Sequence, residues 1–127
     1  MTPPVPAVLA ELAALMIRNA APGVPDGERA NALGLTASLL AIAAETWDAA
    51  AHHLVEENRA IRALTGETGQ DDNLRLSALQ AENNRLRDAL IALHTRAEAD
   101  GDEPLQTRIW AELIISTDRR RLSTAPV

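Results

Sequence analysis

The stretch Leu76-Ser77-Ala78-Leu79-Gln80-Ala81-Glu82-Asn83-Asn84-Arg85-Leu86-Arg87-Asp88-Ala89-Leu90-Ile91-Ala92-Leu93 decides how this chain folds. Leu76, Leu79, Asn83, Leu86, Leu90, Leu93 and, beyond the stretch, Ala97 recur at steps of three and four residues. That spacing puts them on one face of a helix, and over three heptads it is the seam of a helix pair with one polar member, Asn83. The helix is expected to start where Asp71, Asp72 or Asn73 supplies an N-cap and to end near Asp100. Gly101 then suits the position just past the helix. Asp102 suits the cap of the next one, and Pro104 its first turn.

Three further helices are read outward from this one. On the C-terminal side, Leu105, Ile109, Trp110, Leu113 and Ile114 carry a fourth helix, and the tail from Arg119-Arg120-Arg121 to Val127 is expected to fray. On the N-terminal side, the loop Thr65–Gln70 separates the seam from a second helix spanning Glu28 to Leu64, roughly 55 Å long if unbroken. Its first half is apolar nearly all round, as befits a central helix. Trp47, Ala51, Leu54, Asn58 and Ile61 continue its seam. A first helix, Pro6 to Asn19, presents Val5, Val8, Leu9, Leu12, Leu15 and Met16. It stops at Ala21-Pro22-Gly23-Val24-Pro25-Asp26-Gly27, where Asp26 is the expected cap of helix two. No segment alternates like a strand. The fold class is therefore all-α: an antiparallel four-helix bundle with two long central helices, one domain over 1–127 with residues 1–5 and 119–127 frayed. Leu40, Leu79, Leu86, Leu90 and Ile109 are the expected core, with Trp47 and Trp110 as anchors.

Composition bounds the function. The 127 residues carry a net charge of −6, with no Cys, Phe, Tyr or Lys, so all 12 basic residues are Arg. Without Cys there is no disulfide, thiol catalysis or Cys-ligated metal. Acidic charge and two aromatics, Trp47 and Trp110, argue against nucleic-acid binding. No run of 18 apolar residues exists to span a bilayer. The N-terminal Met1-Thr2-Pro3-Pro4-Val5-Pro6 has no basic region of a secretory signal, so a cytoplasmic location is expected. The Arg-for-Lys bias with abundant Ala is that of GC-rich bacterial coding.

One constellation bears on chemistry. Glu45, Asp48, His52, Glu56 and Arg59 fall within about 80° of arc on helix two. Two or three carboxylates with an imidazole resemble half of a carboxylate-bridged metal site, and Glu45, Asp48, His52 and Glu56 are its candidate ligands. The Glu-x-x-His pair of such bundles is missing, His94 lies beside the Leu90/Leu93 seam without a carboxylate at matching spacing, and His53, about 100° round from His52, is read as a surface or interface residue. A solvated face with charge pairs at helical spacing is the plainer reading. Gly66-Glu67-Thr68-Gly69 lacks the Lys of a phosphate-binding loop. No serine has an activating neighbour. No catalytic residue and no cofactor are therefore assigned.

Leu39-Leu40-Ala41-Ile42-Ala43-Ala44-Glu45 resembles the Asn-Ala-Leu-Ala-Ile-Val-x-Arg-Glu helix of a small all-helical bacterial family of unknown function. The order of parts is also similar, down to a last helix ending Ile114-Ile115-Ser116-Thr117-Asp118-Arg119-Arg120. Members of that family are commonly encoded beside acyl-CoA dehydrogenases and aminoglycoside-phosphotransferase-like kinases. The resemblance implies a small helical protein and places Glu45 at the family's helix-two Glu, with no chemistry attached.

The functional expectation is a non-enzymatic accessory or interaction protein, a homodimer or the companion of an enzyme. Helix two outruns a domain of this size, whose diameter is roughly 35–40 Å. Trp47, Leu54, Val55 and Ile61 at its end, with Asn83 on helix three, are the expected interface. The alternative is a ligand- or metal-binding bundle using the Glu45/Asp48/His52/Glu56 stripe.

Overall fold

The computed structural model describes residues 5–20, 22 and 27–123. Among them there are four α-helices and no strand, so the fold is all-α as the periodicity requires. The helices are α1 (Val5–Leu15), α2 (Gly27–Thr65), α3 (Leu76–Asp100) and α4 (Glu103–Arg119), and a π-helical turn, Met16–Ala20, extends α1. No helix among the described residues is long and apolar enough to cross a membrane. Residues 1–4, 124–127 and the expected cap Asp26 lie outside the described residues, as does most of the loop it was read from.

The chain divides into two compact units, Met1–Ala49 with Leu122–Val127, and Ala50–Arg121, and α2 contributes to both. In the first unit, α1 meets α2 through small side chains. Ala13 and Ala37 are buried and line one apolar groove with Ile17 and Ala41. Thr36, Ser38 and Thr46 turn their hydroxyls back onto the α2 carbonyls of Ala32, Gly34 and Ile42 at 2.8–3.0 Å, so their polarity is satisfied within the helix. Contact through alanines leaves the larger side chains at its margins. Leu35 and Leu39 are exposed, and Leu40, expected in the core, is only half-buried.

The second unit is built as the seam dictates. Ile61 of α2, Leu86 and Leu90 of α3 and Ile109 of α4 form its core, flanked by Leu64, Leu93, Leu105 and Leu113. Leu79 is buried as well. Helices α2 and α3 run antiparallel: Asn58 bonds Asn83, while Arg62, one turn later, reaches back to Glu82. The α3–α4 corner follows its sequence signals closely. Gly101 sits at φ 67° in the left-handed region that favours glycine. Its N–H donates to the Glu98 carbonyl and the Asp102 N–H to that of Ala97, closing α3 in a Schellman motif. The Asp102 carboxylate accepts from the Leu105 N–H at 3.0 Å, with Pro104 in the first turn.

Two boundaries differ from the sequence reading. Helix α3 starts at Leu76 rather than at Asp71–Asn73, because Asp71 is drawn to Arg62 and the Asn73 side chain accepts from the Arg75 N–H in a local turn. The basic run expected to fray is engaged instead. Arg119, the last residue of α4, bonds Glu112 at 2.6 Å, and Arg120 bonds the buried Glu57 at 2.6 Å.

Truncation Leu86→Ala at the fully buried seam is expected to cost about 2–5 kcal/mol of unfolding free energy. Leu40→Ala, at a half-exposed position, is expected to cost about 1 kcal/mol. Urea unfolding of the two variants checks the order.

Candidate functional site

The stripe on α2 does not converge on a metal. Among the described residues, no group of three or more His, Asp or Glu side chains is placed to hold an ion. Glu45 accepts the Ser123 N–H at 2.6 Å through Oε1, and its Oε2 is buried without a partner. Asp48 and His52 are exposed, and the His52 ring lies against that of His53, centroids 5.9 Å apart. Glu56 is taken by Arg59 at 2.6 Å. Each stripe residue thus has its own local surroundings.

The residues expected at an interface also separate. Trp47 is 60% exposed, so it is a surface residue and not a core anchor. Leu54 and Val55 are half-buried. Ile61 and Asn83 are a correction: both lie fully inside the second unit, Ile61 in its apolar core and Asn83 against Asn58. The polar seam residue meets a side chain of its own chain, because α2 doubles back along α3 within the same unit.

The most organised polar cluster was read only in part. Arg62, almost fully buried, grips Asp71 with both ends of its guanidinium, Nη2 to Oδ1 at 2.8 Å and Nη1 to Oδ2 at 3.3 Å. The same Nη2 reaches Glu82 at 2.9 Å. Glu82 also accepts two bonds from Arg85, whose Nη2 reaches Glu67 at 2.7 Å. Asn58 links this chain of charges to the core, donating to Asp71 at 3.1 Å and accepting from Asn83 at 3.0 Å. The Arg62 bonds hold the Asp71 carboxyl below its ordinary range despite burial, and Asn58 assists. Bonds from Arg85, then Arg62, bring Glu82 down from 4.5 to about 2. The two arginines are raised in return, Arg62 first by Asp71 and Arg85 first by Glu82. Every carboxylate in the cluster is bonded to a guanidinium, which leaves no free base. What the cluster can do is clamp the start of the 66–75 loop, at Glu67, onto α3 and its middle, at Asp71, onto α2.

A second feature is a face of the α3–α4 pair. Ile91 is 65% exposed, Trp110 55% and Ile114 62%. The edge of one ring in the His94–Trp110 pair meets the face of the other, with centroids 5.6 Å apart. His94 Nε2 has no hydrogen-bond partner and stands 3.6 Å from the Glu98 carboxylate. Sequence reading placed Trp110 on the apolar face of α4. Its neighbour Ile109 takes the core position, and a step of 100° turns the indole outward. The available signal was a second heptad on α3, Arg87, Ile91, His94 and Glu98, alongside the stronger leucine seam.

No family model, no curated protein and no solved structure matches this chain.

The depressed carboxyls fix a pH dependence. A group whose folded pKa lies below its unfolded value stabilises the fold above the unfolded pKa, and that contribution is lost as pH falls through the folded pKa. Stability is therefore expected to decline as pH falls from 4.5 towards about 2, the interval set by Glu82, with Asp71 acting in the same direction. Arg62→Ala, which strands Asp71 inside the protein, is expected to cost about 3–5 kcal/mol near neutral pH and to flatten the acid limb. Chemical denaturation across that pH range measures both.

Proposed function

We propose that this protein is a non-enzymatic helical interaction protein that acts by packing its exposed apolar helix faces against another protein chain. The observation that supports this reading most directly is on α1. Val5, Val8, Leu12 and Leu15 are all exposed there, and their three- and four-residue steps put them in one stripe, the spacing by which helices pair. Four large aliphatic side chains in one exposed line make a surface that a protein in water normally covers. Two further groupings stand out among the described residues: the Arg62 cluster, which is saturated by its own ion pairs, and the α3–α4 face, which is apolar. Both fit a part whose work is assembly. A further copy of the chain or an enzyme is the partner class. Membership of the small helical family that Leu39–Glu45 resembles belongs to the same proposal and points towards an enzyme.

Light scattering on the full chain at micromolar concentration tests the reading. The expected result is a mass above the monomer's 13.6 kDa that falls when an aspartate is placed in one of the exposed apolar faces, Leu12→Asp for α1 or Ile91→Asp for α3. If the mass is strictly monomeric and no partner is bound, the reading is wrong.

A further inference from the structure

The interaction reading leaves open which surface the chain uses on itself. The geometry points to homodimerisation through the α3–α4 face centred on Ile91, His94, Trp110 and Ile114, two copies meeting face to face about a two-fold axis through the middle of that quartet. This inference rests on the proposed interaction role and names one partner and one surface for it.

The four residues form one contiguous patch. Helices α3 and α4 run antiparallel, with Gln106 bonded to the Ala97 carbonyl and the rings of His94 and Trp110 in contact. Ile91 lies one turn before His94 and Ile114 one turn after Trp110, so these two fall at nearly the same level. Ile91, Trp110 and Ile114 are the large apolar members, each more than half exposed. They stand around to the side from the core-facing residues Leu86, Leu90 and Ile109.

The sequence of this face is self-complementary, which a two-fold contact demands: a residue and its mate must meet in both directions. On α3, Arg87 stands four residues before Ile91, and Glu98 stands four residues after His94. On α4, Thr107 stands three residues before Trp110, and Thr117 stands three residues after Ile114. A two-fold axis through the centre of the quartet, across the helices, sets each copy's α3 antiparallel over the other's α3, and likewise for α4. Ile91 then lies over His94 of the second copy, and Trp110 over Ile114 of the second copy. Arg87 lies over Glu98 of the second copy, twice, with opposite charges in register. Thr107 meets Thr117, so no like charges are opposed along these two stripes. Glu98 has its carboxylate largely in solvent, and its nearest basic group within the chain is His94 at 3.6 Å. Arg87 is part-exposed and stands 3.3 Å from the buried Glu57, which Arg120 also holds, at 2.6 Å. Turning Arg87 outward to Glu98 of the second copy therefore leaves Glu57 paired with Arg120. Opposed charges at the rim of an apolar patch select register and partner more than they add raw affinity.

The test is native mass by light scattering and sedimentation on the full chain and its variants, with circular dichroism to confirm that each remains helical. Wild type is expected to be a dimer. Ile91→Asp and Ile114→Asp, both at exposed positions, are expected to be monomeric. Arg87→Glu alone and Glu98→Arg alone, which oppose like charges twice, are each expected to dimerise about tenfold more weakly or worse. A one-to-one mixture of those two variants is expected to recover the dimer, because the mixed pair restores two opposite-charge contacts; a variant that had merely misfolded would not recover. A dimer that survives Ile91→Asp and Ile114→Asp but is lost in Leu12→Asp overturns this inference and leaves the interaction reading standing. A dimer weakened by either charge reversal but not restored by mixing overturns the two-fold register. A wild-type chain that is monomeric and binds no other protein overturns both the inference and the reading beneath it.

Discussion

A guanidinium keeps its charge at any pH a protein meets, so an arginine placed inside a small helical unit brings a carboxylate in with it. Arg62 imposes that constraint here. Its fork closes on Asp71 in the loop and its second nitrogen also reaches Glu82 on α3, so one side chain on α2 fixes both the loop and the helix that follows. Asn58, one turn earlier, carries the arrangement inward by donating to the same Asp71 and accepting from Asn83. The register of α2 on α3 is then set twice, by leucine packing and by a polar chain that has few ways to be satisfied. A one-turn slip of α3 would keep leucines opposite leucines, but it would take Glu82 and Asn83 away from their partners.

That division of labour explains what was legible in the sequence. The α3–α4 corner was, because Gly101, Asp102 and Pro104 each act within a few residues and their conformational preferences do not depend on distant neighbours. The seam residues Leu79, Leu86, Leu90 and Ile109 were legible for the same reason, since periodicity is local. The start of α3 was not. Asp71 has the chemistry of an N-cap, and only the position of Arg62 in space decides that its carboxylate is used elsewhere. Leu40 was misplaced because burial depends on what covers a helix, and α1 brings Ala13 rather than a large side chain to the contact.

The site residues divide along the same line. The Glu45/Asp48/His52/Glu56 stripe is a correct statement about one helix face, but a metal site needs facing ligands from other elements, and spacing along one helix is silent on those. Glu56 has Arg59 three residues away, and Glu45 meets a backbone N–H from a residue far along the chain. Ile61 and Asn83 were assigned to an interface on the premise that α2 outruns its neighbours. In the second unit α3 and α4 both pack on that end of α2, so its seam is core. The face that does remain open, around Trp110, lies one residue away from a core position, an offset that hydropathy alone does not resolve.

The chain is distinctive in where it has put its polar and apolar groups. It buries Glu57, Asn58, Arg62, Asn83 and Ser116 while leaving Trp47, Ile91, Trp110 and Ile114 largely in solvent. Exposed isoleucine and tryptophan forgo the roughly 1.5–3 kcal/mol that burial of each large apolar side chain returns. The buried amides and ion pairs contribute far less once their desolvation is counted. A monomer shaped only by its own stability would favour the opposite exchange. The polar interior makes sense as a device for a single register, since mismatched helices would leave charges unpaired. The apolar exterior makes sense if its burial is deferred to a second binding step, because the side chains withheld from the monomer's core are then the ones that another chain can cover.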